Sequence, residues 1–192
     1  MAQAGTVTVL GGGNVTPAKK LIITGGRKFK NLIPNGNFTN GIDGWGGTSS
    51  TISAANNTLY VTGDGSSMYA YVYTQDKIIT PFVGQKIYLC AKVKVTNDAC
   101  QEVRIYTINM RGESIYNPTK DKDYTISSIA VQTNEIPTRV YIYSRYIDVS
   151  TAEGKVTELK EIIAVDLTAE FGAGNEPDLA WCDANIPQNI IW

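Results

Sequence analysis

The chain has 192 residues, with 17 basic and 18 acidic side chains, a net charge of −1, 43% hydrophobic residues and no histidine. A chain of this length suits one domain that buries roughly two-thirds of its unfolded surface, so its core needs neither disulfides nor a metal. The balanced charge offers no footprint for nucleic acid or an anionic membrane, and the missing imidazole excludes Ser-His-Asp and Cys-His catalysis, zincin motifs and every histidine general base.

The first 30 residues are rich in Gly, Thr and Val, carry candidate strands at Thr6–Leu10 and Lys20–Thr24, and end in the basic cluster Arg27, Lys28 and Lys30. No basic leader or apolar run marks a signal peptide, and no window approaches 18 apolar residues. The segment reads either as leading strands of the same domain or as an arm that docks on a partner protein by adding strands to its sheet. The run from Gly11 to Lys20 lacks the Gly-Lys-Ser/Thr ending of a phosphate loop, and Pro17 sits where the helix should begin.

From residue 31 onward, runs of period-two alternation predict strands over Thr58–Thr62, Ser67–Thr74, Lys86–Val95, Glu102–Asn109, Asp123–Gln132, Arg139–Ser144 and Val156–Asp166. Turn signals at Asn35-Gly36, Asn40-Gly41, Asp43-Gly44, Gly63-Asp64-Gly65 and Asn97-Asp98 punctuate them. In Lys86–Val95, Ile87, Leu89, Ala91, Val93 and Val95 share one face and Tyr88, Cys90, Lys92 and Lys94 the other, as in a strand between core and water. Its expected hairpin partner is Gln101–Met110, turning at Asn97-Asp98, with Val103, Ile105 and Thr107 continuing the apolar face. That register sets Cys90 opposite Tyr106 and Cys100 beside the turn, roughly 20 Å away at about 3.3 Å per residue. With Cys182 the count is odd and lacks metal spacing, so free reduced thiols and a reducing cytosol are expected. A short helix opening at Pro177 and carrying Leu179, Trp181 and Cys182 follows. Nine short strands predict an all-β fold, an antiparallel β-sandwich or jelly roll with an N-terminal arm and a short C-terminal helix.

Tyrosine is the conspicuous residue, with 11 copies against three tryptophans. Tyr69, Tyr71 and Tyr73 share one strand face, and Tyr141 and Tyr143 another. Such ladders serve cross-strand packing, an inter-subunit surface, or a platform on which sugar rings stack. For the last role the candidate glycan-binding residues are Tyr71, Tyr73, Arg104, Tyr106, Tyr141 and Tyr143. A glycosidase needs two positioned carboxylates, and nothing marks a pair among Glu102, Glu113, Glu158 and Glu161, so no catalysis is expected.

Two stretches carry a resemblance. The run from Asn31 through Pro34-Asn35-Gly36-Asn37-Phe38 to Asp43-Gly44-Trp45 resembles the opening of jelly-roll carbohydrate-binding modules with a galactose-binding-like fold, where an N-G-x-F turn is followed by Gly-Trp. Asp166-Leu-Thr-Ala-Glu-Phe171-Gly-Ala-Gly-Asn-Glu-Pro177 is similar to the ending of such modules in tail-fibre, baseplate and other virion proteins of phages of Gram-positive bacteria, and Ile78–Val95 to their middle strand. The resemblance implies three regions: an arm or leading strands over 1–30, the jelly roll over 31–177 and a helical tail over 178–192. It gives structural roles to Asn35, Gly36, Phe38, Trp45, Asp166, Phe171, Gly172, Gly174, Asn175, Glu176 and Pro177. It also implies a virion structural protein of a tail, baseplate, neck or capsid, made in the host cytoplasm. Such a protein would be held to other virion proteins by its arm, would form a homo-oligomer (a trimer by analogy), and would display the sandwich towards cell-wall polysaccharide. The alternatives are an architectural decoration or cement protein without glycan binding, and a stand-alone lectin or accessory module of a cell-wall hydrolase. No cofactor is expected beyond the structural calcium of many related jelly rolls, for which Asn37, Asp43, Asp64 and Asp166 are the candidate ligands, without the spacing of a dedicated acidic loop.

Overall fold

The computed structural model describes residues 27–108 and 112–192. In chain order the elements are β1 (Phe29–Lys30), β2 (Trp45–Thr48), β3 (Ser50–Ala55), β4 (Thr58–Gly63), β5 (Tyr69–Thr74), β6 (Lys86–Val95), β7 (Cys100–Thr107), β8 (Ser114–Tyr116), β9 (Asp123–Val131), β10 (Val140–Tyr146), α1 (Val149–Ala152), β11 (Val156–Asp166), α2 (Leu167–Phe171), α3 (Leu179–Asn185), a 3-10 turn over Pro187–Asn189 and β12 (Ile190–Ile191). Two antiparallel five-stranded sheets, β2-β5-β10-β7-β8 and β3-β4-β11-β6-β9, form a sandwich, and β1 pairs in parallel with β12. Alternation explains the layers: Val72, Ile142, Val103 and Ile105 from one sheet meet Leu59, Leu89, Val93 and Leu159 from the other in a single core. The hydroxyls of Ser144 and Thr157 satisfy each other across it at 2.6 Å. Among the described residues no helix is long and apolar enough to cross a membrane.

Two expectations are corrected here. β6 and β7 are not a hairpin, because β6 lies between β9 and β11 while β7 lies between β8 and β10. Each has one apolar face, but both sheets turn such a face inward, so alternation could not tell a turn within a sheet from a crossing between sheets. In register Cys90 therefore faces Ile163 and Ser127, not Tyr106. The second correction concerns the outer face of β6, which meets water only at its lysines, Lys86, Lys92 and Lys94. Tyr88 and Cys90 are buried in a second cluster with Phe29, Ile163, Val165, Leu167, Cys182 and Ile186. Residues 27–30 and the C-terminal helix thus form a third layer over this sheet, and Arg27 binds Glu170 at 2.7 Å while lying over the Phe171 ring. The candidate strands Thr6–Leu10 and Lys20–Thr24 lie outside the described residues.

All three cysteines are buried and unpaired. Burial pushes the thiols of Cys90 and Cys100 up to about 11 and that of Cys182 up to about 12. The native protein should be inert to a thiol reagent such as Ellman's at pH 8 and release three equivalents only after unfolding in guanidinium. Rapid labelling of the native chain would contradict this packing.

The two motif segments both pack on the second half of β11. The Asn31 side chain accepts from Ala164 N at 2.9 Å and donates to the Ile162 carbonyl at 2.9 Å, beside a bulge where Glu161 has φ of 49°. Gly36 presses against the same bulge, since a Cβ there would lie 2.0 Å from the Ile162 carbonyl oxygen. Asn35 ties the following loop, donating to the carbonyls of Gly41 and Asp43 at 3.0 Å each and accepting from Asn40 N at 3.2 Å. Where the strand ends, Asp166 caps α2, accepting from Ala169 N at 2.9 Å. The Thr168 hydroxyl accepts from Lys86 N and donates to Glu176, each at 2.9 Å. The Glu176 side chain is 2% exposed and 3.2 Å from Lys86 Nζ. Burial opposes its charge, but the hydrogen bonds from backbone and Thr168 and the nearby ammonium outweigh it and hold the carboxyl below its usual range. Gly172 and Gly174, with φ of 84° and 78°, turn the chain so that Asn175 N reaches the Gly172 carbonyl. The helix α3 begins two residues later than Pro177, because Asp178 accepts from Trp181 N and caps it, the task at which a carboxylate excels.

Candidate functional site

The outer face of the β2-β5-β10-β7-β8 sheet gathers the aromatic residues. In β5 Ala70, Val72 and Thr74 are buried and Tyr69, Tyr71 and Tyr73 face out; in β10 Val140, Ile142 and Ser144 are buried and Tyr141, Tyr143 and Arg145 face out. In β7 the outward residues are Glu102, Arg104 and Tyr106. Register then sets three rows across the sheet. Tyr141 stands between Tyr73 and Tyr106, Tyr143 between Tyr71 and Arg104, and Arg145 between Tyr69 and Glu102. β2 adds Gly46 beside Tyr73 and Thr48 beside Tyr71, and β8 adds Ser114 beside Arg104 and Tyr116 beside Glu102.

Six rings form one contiguous surface. Tyr106 stacks on Tyr141 at 5.3 Å, which lies 5.7 Å from Tyr73, and Tyr71 stacks on Tyr69 at 5.8 Å. Tyr143, 9% exposed, is the hub, meeting Tyr69, Tyr71 and Tyr106 edge-on at 5.4, 5.5 and 5.8 Å. Arg104 lies over Tyr143 at 5.6 Å and Arg139 over Tyr73 at 5.4 Å. The Tyr73 ring lies flat against β2 because Gly46 offers no side chain, and a Cβ there would come within 2.8 Å of it. Burial pushes the phenols of Tyr71 and Tyr143 up, and that of Tyr106 to about 12, so all three stay neutral donors near neutral pH.

An ionic cluster closes one side of this face. The Glu102 carboxylate, 6% exposed, lies 2.8 Å from Arg104 and 3.4 Å from Arg145 and accepts from the Ser114 hydroxyl at 2.8 Å. Burial opposes its ionisation, but the hydroxyls of Ser114 and Tyr143 and the two guanidiniums prevail and hold it below the ordinary carboxylate range.

All six candidates from the sequence, Tyr71, Tyr73, Arg104, Tyr106, Tyr141 and Tyr143, stand on this face. Tyr69, named in the ladder but not among the six, joins them, and Glu102, Ser114, Tyr116 and Arg145 complete the face without having been candidates. Arg145 continues the period of Tyr141 and Tyr143 and was legible there, whereas Ser114 and Tyr116 sit on a three-residue strand with no pattern to find. The four candidate calcium ligands serve separate turns. Asn37 accepts from Thr39, Asp64 from Ser66 N at 2.8 Å, Asp166 caps α2, and Asp43 offers its carbonyl to Asn35. Among the described residues no three His, Cys, Asp or Glu side chains gather to hold a metal. A groove of about 470 Å³ on the opposite sheet is lined by Lys92, Lys94, Asp123, Glu158, Lys160 and Tyr124 among others. Lys92 pairs there with Glu161 at 2.7 Å, and a single ring offers little stacking surface, so the aromatic face is the stronger candidate.

No protein-family model matches the chain, and no curated protein matches it significantly. Solved structures share its fold. An arabinose-bound GH51 α-L-arabinofuranosidase aligns with 82% of the chain at 8% identity and a TM-score of 0.58, but the chain spans only 30% of that enzyme. A CBM4 module aligns with 67% of the chain and 99% of its own length at 10% identity and a TM-score of 0.53. A family 16 carbohydrate-binding module aligns with 71% of the chain and 100% of its own length at 16% identity and a TM-score of 0.51. The chain is an antiparallel jelly-roll sandwich of the carbohydrate-binding-module type in fold.

Proposed function

We propose that this chain is a non-catalytic glycan-binding module whose sugar lies on the tyrosine face. The carrying observation is the contiguous six-ring surface, since pyranose rings present C–H faces that pack on aromatic faces while phenol hydroxyls meet the sugar hydroxyls. The fold shared with two carbohydrate-binding modules supports the reading. For the setting we propose the surface of a phage virion, supported by the resemblance of the Asp166–Pro177 ending, with the N-terminal arm over 1–30 as the attachment to other virion proteins and the wall polysaccharide of a Gram-positive host as ligand. Many copies on one particle turn weak single contacts into firm attachment.

The test is retention of the protein, displayed multivalently on beads, by purified Gram-positive cell walls. Saturable retention that soluble wall polysaccharide competes away is expected. Failure of the multivalent form to be retained would leave the architectural decoration role in its place.

A further inference from the structure

The charges around the rings say which glycan. We propose, on the reading that the tyrosine face binds sugar, that it selects an anionic saccharide whose acidic group is taken by Arg104 and Arg145. In the three rows and their flanks on β2 and β8, the charged side chains are Glu102, Arg104 and Arg145, and Arg139 adds a third guanidinium over Tyr73. Three guanidiniums against one carboxylate leave the face positive on a chain whose net charge is −1.

The hydrogen bonds point the same way. A carboxylate offers about four lone-pair sites, and Ser114, Tyr143 and Arg104 engage Glu102 while Arg145 adds an ion contact at 3.4 Å. The guanidiniums are not used up in return. Arg104 donates through Nε to Ser114 at 2.7 Å and weakly to the Tyr116 hydroxyl at 3.5 Å. Among the described residues Arg145 has only the 3.4 Å ion contact of its buried Nε with Glu102, while its side chain is 32% exposed on the face. The exposed part of this guanidinium can meet an oxyanion lying on the face, a charge-assisted pairing stronger than one with a neutral acceptor. Guanidinium forks suit carboxylates and phosphates alike, so uronates and sugar phosphates share this chemistry.

The experiment is calorimetric titration of the full chain with four probes: oligogalacturonate, its methyl ester, phosphomannan and enzymatically dephosphorylated mannan. At least one charged probe should bind about tenfold tighter than its neutral counterpart, with the advantage shrinking as salt rises. The uronate and phosphate pairs distinguish the two sources of charge. In R145Q, and separately in R104Q, checked for an unchanged melting profile, the charged and neutral constants should converge to within about twofold. Equal binding of charged and neutral probes by the native protein overturns the selection and leaves the glycan reading standing. Absence of binding to all four, together with no retention on cell walls, removes the glycan reading itself.

Discussion

Replacing Trp45 with alanine should lower the unfolding free energy by about 3–5 kcal/mol, the range for losing a large buried ring. The ring is 2% exposed, packs on Phe38 at 5.5 Å and donates from Nε1 to the Asn35 carbonyl at 3.0 Å. It thereby holds the loop that Asn35 gathers, and its own carbonyl accepts from the Gln75 amide at 3.0 Å. The cavity opens beneath the start of β2, whose backbone pairs with β5 from Trp45↔Thr74 onward. In a chain of this size the melting temperature should fall by on the order of 10 °C. A calorimetric scan showing a shift of a degree or two would mean that the N-G-x-F…G-W segment does not anchor this end of the core.

The second large effect belongs to the face. The double substitution Tyr71→Ala with Tyr141→Ala removes one ring from each of two rows, leaving Tyr143 flanked but the platform broken. If each ring acts as a hot spot of about 2 kcal/mol and the two add, binding to a saccharide weakens by roughly a thousandfold. For a module of weak intrinsic affinity, retention on cell walls should vanish even in multivalent form. Both residues are half-buried and turned away from the core, so the loss of stability should be small, a few degrees at most. Trp45→Ala and the tyrosine pair therefore separate fold from function in opposite directions. A tyrosine double variant that binds walls as tightly as the native chain would clear this face of any part in binding.

What the sequence disclosed depended on how each element declares itself. β6 and β11 run over the residues that their alternation marked, Lys86–Val95 and Val156–Asp166, because each carries a long inward row of Ile, Leu and Val. β2, β3 and β8 escaped notice: Trp45-Gly-Gly-Thr and Ser50–Ala55 are built of small residues whose strand form comes from pairing, not propensity. Period two placed Tyr71, Tyr73, Tyr141 and Tyr143 outward on their strands. It could not say that β5 and β10 are neighbours, which alone turns two ladders into one surface. In the sequence Glu102 is one unmarked carboxylate among several, and only its position between Arg145 and Tyr116 shows it to be an ion-pair partner. The outward Tyr88 and Cys90 misled because a strand cannot announce that distant residues such as Phe29 and Cys182 will cover it.

The pairing of Phe29 with Ile190 and Lys30 with Ile191 gives the sandwich a two-stranded ribbon. Paired strands lie about 4.8 Å apart, and because the pairing is parallel the backbone runs the same way along both, into the sandwich at Phe29 and out of it at Ile191. That ribbon sits over Tyr88 and Cys90, on the sheet that turns its back to the tyrosine surface. Whatever grips the ribbon holds the rear of the module, and the aromatic side is carried outward without any further hinge or reorientation.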